Sequence, residues 1–242
     1  MRYAKIVLNE PHASVEGLYD NRLSFWNIDE GFVNGAVMDL TDWHTDFLFH
    51  GLQDNRIETV RFPYSRFVVD AERLWNDPLE DCGQGILYRK FGEYCREIPA
   101  GAEERLLGLW HWHQRRLNRA LEGSSSTLLL DCHSFPDRMS DVDVCIGFNE
   151  DWSKPEKETL EFAVNFFEEN GYAVGINCPY SNSIAPECGV EYKSMMLEIN
   201  KKAYLKVNTL QLSTRTGRLG RNLSQVVSSF MSRLLKDEKA VV

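Results

Sequence analysis

Two histidines and several carboxylates stand where apolar runs of the sequence stop. Leu128-Leu129-Leu130 leads into Asp131-Cys132-His133-Ser134, and a run over 4–8 leads into Asn9-Glu10-Pro11-His12. A histidine in either place offers a ring nitrogen to a metal ion. Asp131 lies two residues before His133, on the same side of a strand, where it can orient the ring. Glu198 sits in the apolar run Met195-Met196-Leu197-Glu198-Ile199. A carboxylate buried there is costly unless it is paired, bound to a metal or catalytic. Asp42 precedes Trp43 and His44 at the entry to a short apolar segment, and is read as facing a pocket. Arg66 and Arg73 flank the run Phe67-Val68-Val69-Asp70. Two guanidiniums at a strand end would clamp a carboxylate bidentately. Asn177 and Tyr180 lie in a polar loop after another apolar run. The plain alternatives are loop histidines, solvated arginines and a glutamate on an edge strand.

These residues need elements to hold them. Apolar runs over 4–8, 143–148, 172–176 and 194–200 read as strands, as does the run that starts at Leu128 and carries Cys132, and 59–73 reads as strand, turn, strand and a polar end. Apolar spacings of three and four predict helices over 103–121, 155–170 and 221–236, with Gly171 stopping the second. His113 falls on the apolar stripe of the first of these and reads as a core histidine, whereas His111 reads as exposed. Residues 31–36 read as a glycine-containing loop, and Thr41 or Asp42 as the N-cap of a helix. Residues 74–100 read as an irregular excursion of the kind that covers active sites, and 236–242 as a frayed tail. Strands alternating with helices over the whole length predict a single α/β domain over 1–242, with a mixed central sheet flanked by helices on both faces.

Composition narrows the classes of function. The chain has 242 residues, 43% of them hydrophobic and 26% charged, and a net charge of −9. No basic stripe is present, which argues against nucleic acid as a partner. No stretch of ~20 apolar residues predicts a membrane span. The start of the chain runs into a candidate strand rather than a signal peptide. The six cysteines (82, 95, 132, 145, 178 and 188) lack CxxC spacing, so free thiols in a reducing cytoplasm are expected.

Taken in order, His12, Asp42-Trp43-His44, Ser65-Arg66, Asp70 to Arg73, Asp131-Cys132-His133-Ser134, Asn177 to Tyr180 and Leu197-Glu198-Ile199-Asn200 resemble the N-formylglutamate amidohydrolase family. The resemblance runs from about residue 6 to 205. It implies a fold similar to the zinc carboxypeptidases, with a mixed eight-stranded sheet, one catalytic Zn²⁺ and a small-molecule N-acyl amino acid as substrate. Carried over by motif, His12 and His133 are the metal histidines, Asp42 is the third ligand and Glu198 is the general base. Glu16 competes with Asp42, because the carboxypeptidase pattern has a glutamate soon after the first histidine; the spacing here is one residue longer. Arg73 holds a substrate carboxylate or, with Arg66, stabilises the oxyanion. Asn177 and Tyr180 line the substrate side. One motif departs from the family: an asparagine is replaced in Asp70-Ala71-Glu72-Arg73 by Glu72, an acid that would repel a substrate carboxylate. The Asn177 loop also carries Ser-Asn-Ser where the family usually has glycines.

The expected reaction is zinc-dependent hydrolysis of an N-formyl or other N-acyl amino acid, N-formylglutamate foremost, with other divalent ions acceptable to the same donors. Two other readings compete with it. One is a carboxypeptidase-like peptidase acting on cell-wall or small peptides. The other is a binding protein that keeps the fold without the chemistry.

Overall fold

The computed structural model describes residues 3–124, 126–206 and 209–235. The tail read as frayed, 236–242, lies outside them. The chain separates into two compact units, each built from discontinuous segments. One comprises 1–9, 44–59 and 120–242; the other comprises 10–43 and 60–119. Among the described residues, no helix is long and apolar enough to cross a membrane.

The first unit carries the sheet. Its strands are β1 (Lys5–Glu10), β2 (Ile57–Arg61), β5 (Thr127–Phe135), β6 (Val144–Gly147), β7 (Val174–Ile176) and β8 (Lys193–Asn200), in the order β2-β1-β5-β8-β6-β7. β1 pairs parallel with β5, and β5 with β8, whereas β6 runs antiparallel to β8. The sheet is therefore mixed, as expected for the α/β class. It has six strands where the resemblance implies eight; a separate two-stranded hairpin joins β3 (Lys90–Phe91) to β4 (Tyr94–Cys95).

Strand periodicity sorts the side chains. Ile6, Leu8, Leu128, Leu130, Cys132, Leu197 and Ile199 share one core with Leu48 and Phe49 of α3 (Thr45–Phe49), Phe166 and Phe167 of α5 (Lys157–Glu169), and Val226, Val227 and Phe230 of α6 (Leu223–Leu234). Burying each large side chain of this kind contributes roughly 1.5–3 kcal/mol. The alternate positions carry Asn9, Asp131, His133 and Glu198 on the other face. The register places Asn9 beside Asp131, and His133 beside Glu198.

The second unit is mostly loops around α4 (Ala102–Leu121), whose Leu106 and Trp110 pack with Phe62, Val68, Val69, Ala71 and Ile86. His113 is fully buried, its ring 5.4 Å from that of Phe62, while His111 is exposed. Three local expectations fail here. Residues 31–36 are helical: α1 (Glu30–Phe32), a π-turn over Val33–Val37 and α2 (Met38–Leu40) follow one another. The Asp29 side chain caps them by accepting from Phe32 N at 2.8 Å. Phe32 is pinned between Phe67 and Tyr94, 4.9 Å from each ring. Tertiary packing thus overrides the two glycines. Residues 66–69 form turns rather than a strand, because Val68 N and Val69 N both donate back to Ser65 O and Phe67 N donates to Ser65 Oγ. Thr41 is extended and ends α2, and the N-cap of α3 is His44 at φ +59°, so neither Thr41 nor Asp42 caps that helix.

Arg96 ties the loops of this unit together. Its buried guanidinium donates to the carbonyls of Ser24, Leu23, Tyr88 and Val68. Burial and then Arg89 push its pKa down to about 9, which still leaves it charged at neutral pH. The four carbonyls do the work of a counterion.

Candidate active site

Strand register builds the first half of the site. His133 Nε2 lies 3.1 Å from Asp131 Oδ1. Asp131 is fully buried and, besides His133, is held by two donors: Asn9 Nδ2 donates to Oδ1 at 2.8 Å and Ile184 N donates to Oδ2 at 3.0 Å. Burial alone would raise its pKa, but His133 and these donors outweigh burial and lower it. Glu198 is buried one strand over, level with His133 on β5 and with Cys145 on β6. Burial pushes the Cys145 thiol up to about 11, with the Glu198 charge adding to the shift. Cys145 is therefore a neutral thiol at neutral pH, not a nucleophile.

Asn177 and Tyr180 lie on the loop after β7. Asn177 takes φ +49°, accepts from Phe148 N through its side chain at 2.9 Å, and donates its own N–H to Ile146 O. Tyr180 stacks edge-on against Phe135, 6.1 Å between ring centres, and its carbonyl accepts from Cys145 Sγ.

Loops build the second half. The chain bends directly after β1, and His12 O accepts from Asp42 N at 3.0 Å. The His12 ring is buried among acids: Nε2 is 2.8 Å from Asp70 Oδ1 and 3.7 Å from Glu72 Oε2, and Nδ1 is 3.7 Å from Asp42 Oδ2. Asp70 also accepts from Arg66 at 2.8 Å, and Arg73 Nε lies 3.7 Å away. Removing such a carboxylate from water costs several kcal/mol. Here Arg66, then His12 and Arg73, outweigh burial and hold Asp70 well below the usual carboxylate range. Burial pushes the neighbouring Tyr88 phenol up to about 12.

α4 fixes the loop that carries Glu72 and Arg73. Trp110 Nε1 donates to Arg73 O and Gln114 Nε2 to Ala71 O, each at 2.8 Å. An Asx turn, Glu72 N to Asp70 Oδ1 at 3.1 Å, sets the direction of the loop.

His12 and Glu72 of the second unit, and His133 of the first, each offer an atom that could ligate a metal ion. The acid in this group is Glu72. Asp42 lies 3.7 Å from His12 Nδ1, and Glu16 is exposed, its N–H donating to Ser14 Oγ and its carbonyl accepting from Ser65 N. Sequence reasoning had treated Glu72 only as a departure from a motif, and had not singled out Asp70 or Asn9. The available signal was Asp70 itself, a charge closing the apolar run Val68-Val69.

Comparison with known proteins follows the same line. Among similar solved structures is an N-formylglutamate amidohydrolase from Ralstonia eutropha JMP134, with TM-score 0.75, 17% identity, and coverage of 97% of this chain and 95% of the other. A gene product from Agrobacterium tumefaciens gives TM-score 0.60 and 14% identity over 96% and 92%. At such identities the likeness is one of fold. No curated protein sequence matches the chain. The fold and the family comparison together place the chain among the amidohydrolases. It belongs to the N-formylglutamate amidohydrolase family, whose model matches residues 6–205.

Proposed function

We propose that this chain hydrolyses the amide bond of an N-formyl or other N-acyl amino acid, N-formylglutamate first among them, releasing formate (or another acid) and the amino acid. One observation carries the reading. Each candidate ligand histidine has its own buried carboxylate, His12 with Asp70 in the second unit, where Glu72 lies 3.7 Å from the same ring, and His133 with Asp131 in the first. Metal-binding histidines use their second ring nitrogen in this way, which fixes tautomer and orientation.

The donor chemistry fits a divalent ion. Two imidazoles and one carboxylate are the ligand set of a catalytic zinc that keeps a position open. Charge agrees: around His12, three carboxylates (Asp42, Asp70 and Glu72) face two guanidiniums (Arg66 and Arg73), leaving a net negative charge for a cation to balance. In this reading Glu72 is the acid ligand, and Asp42, 3.7 Å from the His12 Nδ1 that Asp70 does not engage, is the competing acid. The charge of Glu72 is then spent on the ion and no longer repels a substrate carboxylate.

A zinc ion bound there supplies Lewis acidity to the reacting water and the amide carbonyl. Glu198 accepts a proton from the water as its oxygen bonds to the carbonyl carbon. It returns that proton to the nitrogen as the carbon–nitrogen bond breaks. Arg73 and Arg66 provide positive charge for the oxyanion and the substrate carboxylate. Asn177 and Tyr180 shape the substrate side of the strand-borne half.

The test is formate release from N-formyl-L-glutamate by zinc-loaded protein, beside a panel of N-acyl amino acids and short peptides. Turnover of N-acyl amino acids, lost on chelation and restored by zinc, is expected. Turnover confined to peptides, or none at all by the loaded protein, would overturn the proposal.

A further inference from the structure

The first unit holds a cavity of about 300 Å³ at the end of the sheet where β5 and β8 begin, next to Thr127 and Lys193. His133 lies six residues further along β5, roughly 20 Å away at the usual rise of a strand. The cavity thus has no part in the chemistry proposed above. Its walls include three aromatic side chains, Tyr3, Trp152 and Tyr192, and two carboxylates, Glu156 and Glu191.

The aromatic walls are held in place. Trp152 and Tyr192 stand perpendicular, 5.1 Å between ring centres at 89°, and so form a corner. The segment carrying Trp152 is tied to the start of β8: Ser194 N donates to Ser153 O at 2.8 Å, and Lys193 Nζ donates to Trp152 O at 2.9 Å. Trp152 nevertheless stays 44% exposed, a large ring kept rigid and open. Both phenol hydroxyls already donate, Tyr3 to a carboxylate of the cavity wall (Glu156 Oε2, 2.9 Å) and Tyr192 to a backbone carbonyl (Pro186 O, 2.6 Å). Burial pushes the pKa of each phenol upward, so both stay neutral.

We infer that this cavity binds a small organic ammonium ion. Aromatic rings attract a cation through their quadrupole, most strongly when water is partly excluded. Two carboxylates against the single Lys193 ammonium leave the walls net negative, and that ammonium already donates to a carbonyl. An anion would be repelled by Glu156 and Glu191, and a neutral apolar ligand would desolvate them without compensation. The volume lies at the lower end of small-molecule sites, which limits the ligand to a compact head group such as a trimethylammonium or a primary amine.

The test is calorimetric titration of the full chain with choline and, separately, with 3,3-dimethylbutan-1-ol, its neutral isostere. Choline is expected to bind in the range of about 1 mM, and the isostere at least about tenfold more weakly. Trp152→Ala and Glu156→Gln should each weaken choline by about tenfold, while Trp152→Phe retains most of the affinity. Because Trp152 is half-exposed, its truncation leaves the core intact, and an unchanged thermal melt checks this. Absence of choline binding to the wild-type chain would overturn the inference. So would equal binding of the isostere, or unchanged choline affinity in both Trp152→Ala and Glu156→Gln.

Discussion

His133 and His12 each meet a buried aspartate, but the two aspartates are supported differently. Asp131 sits in mid-strand, its oxygens held by neutral donors from Asn9 and Ile184, with the β1–β5 register fixing its neighbour. Asp70 sits where a turn ends, and its charge is answered by Arg66, His12 and Arg73. The pair in the first unit is set by sheet geometry, the pair in the second by a cluster of charges that α4 and Arg96 hold in shape. A strand half needs few ionic contacts because the ladder already orders its backbone. A loop half must neutralise every buried charge it collects, so its residues depend on one another.

The largest effect is expected on the strand side. Glu198→Gln should lower turnover by about 10²–10⁴, the range general acid–base groups supply, with metal content unchanged. Near-normal turnover with metal bound would remove Glu198 as the base.

Stability separates the halves next. Asp70→Ala leaves Arg66 buried against lost charge and should cost about 3–5 kcal/mol, as broken buried ion pairs do. Asp131→Ala leaves neutral donors unsatisfied and should cost about 1–3 kcal/mol. Urea unfolding of both variants measures the difference, and equal costs would break the comparison.

Metal affinity should unite what stability divides. Asp70→Asn and Asp131→Asn each remove a carboxylate from behind a ligand histidine, and each should weaken zinc by about 10–100-fold. Competition with a chelator reads this out. If only one variant weakens zinc, only that histidine is a ligand.

The smallest effect concerns acid. Both aspartates have native pKa values below the unfolded value of about 3.9. Each therefore contributes stability that is present above about pH 4 and lost as pH falls through its native value. Melting temperatures between about pH 6 and pH 2 should drop less steeply at first in Asp131→Asn than in the wild type. Parallel curves would show that the Asp131 carboxylate does not matter to acid stability.

The same contrast explains what the sequence disclosed. β5 and β8 were legible because unbroken apolar runs interrupted by one charge are rare, so Asp131, His133 and Glu198 stood out. The observed β8 (Lys193–Asn200) nearly coincides with its apolar run, and β5 (Thr127–Phe135) starts at its own but runs on through the polar cluster. The loop half was not legible in this way. The run 66–69 looks like a strand, and only Ser65, turning the chain back on itself, makes it a turn. Glu72 looked like a substitution hostile to substrate, because its value depends on lying near His12, a proximity that sixty residues of intervening chain conceal. Asp42 was favoured by its local pattern, and local pattern does not report which nitrogen of a distant imidazole an acid will approach.

The most direct test of the account is zinc content and affinity in the purified chain, measured for the wild type beside His12→Ala, His133→Ala, Glu72→Gln and Asp42→Asn. The account predicts about one zinc per chain, lost or weakened by about tenfold or more in the first three variants, and retained in Asp42→Asn. Zinc kept by Glu72→Gln but lost from Asp42→Asn would return the acid ligand to Asp42, and a wild-type chain that takes up no metal would contradict the account as a whole.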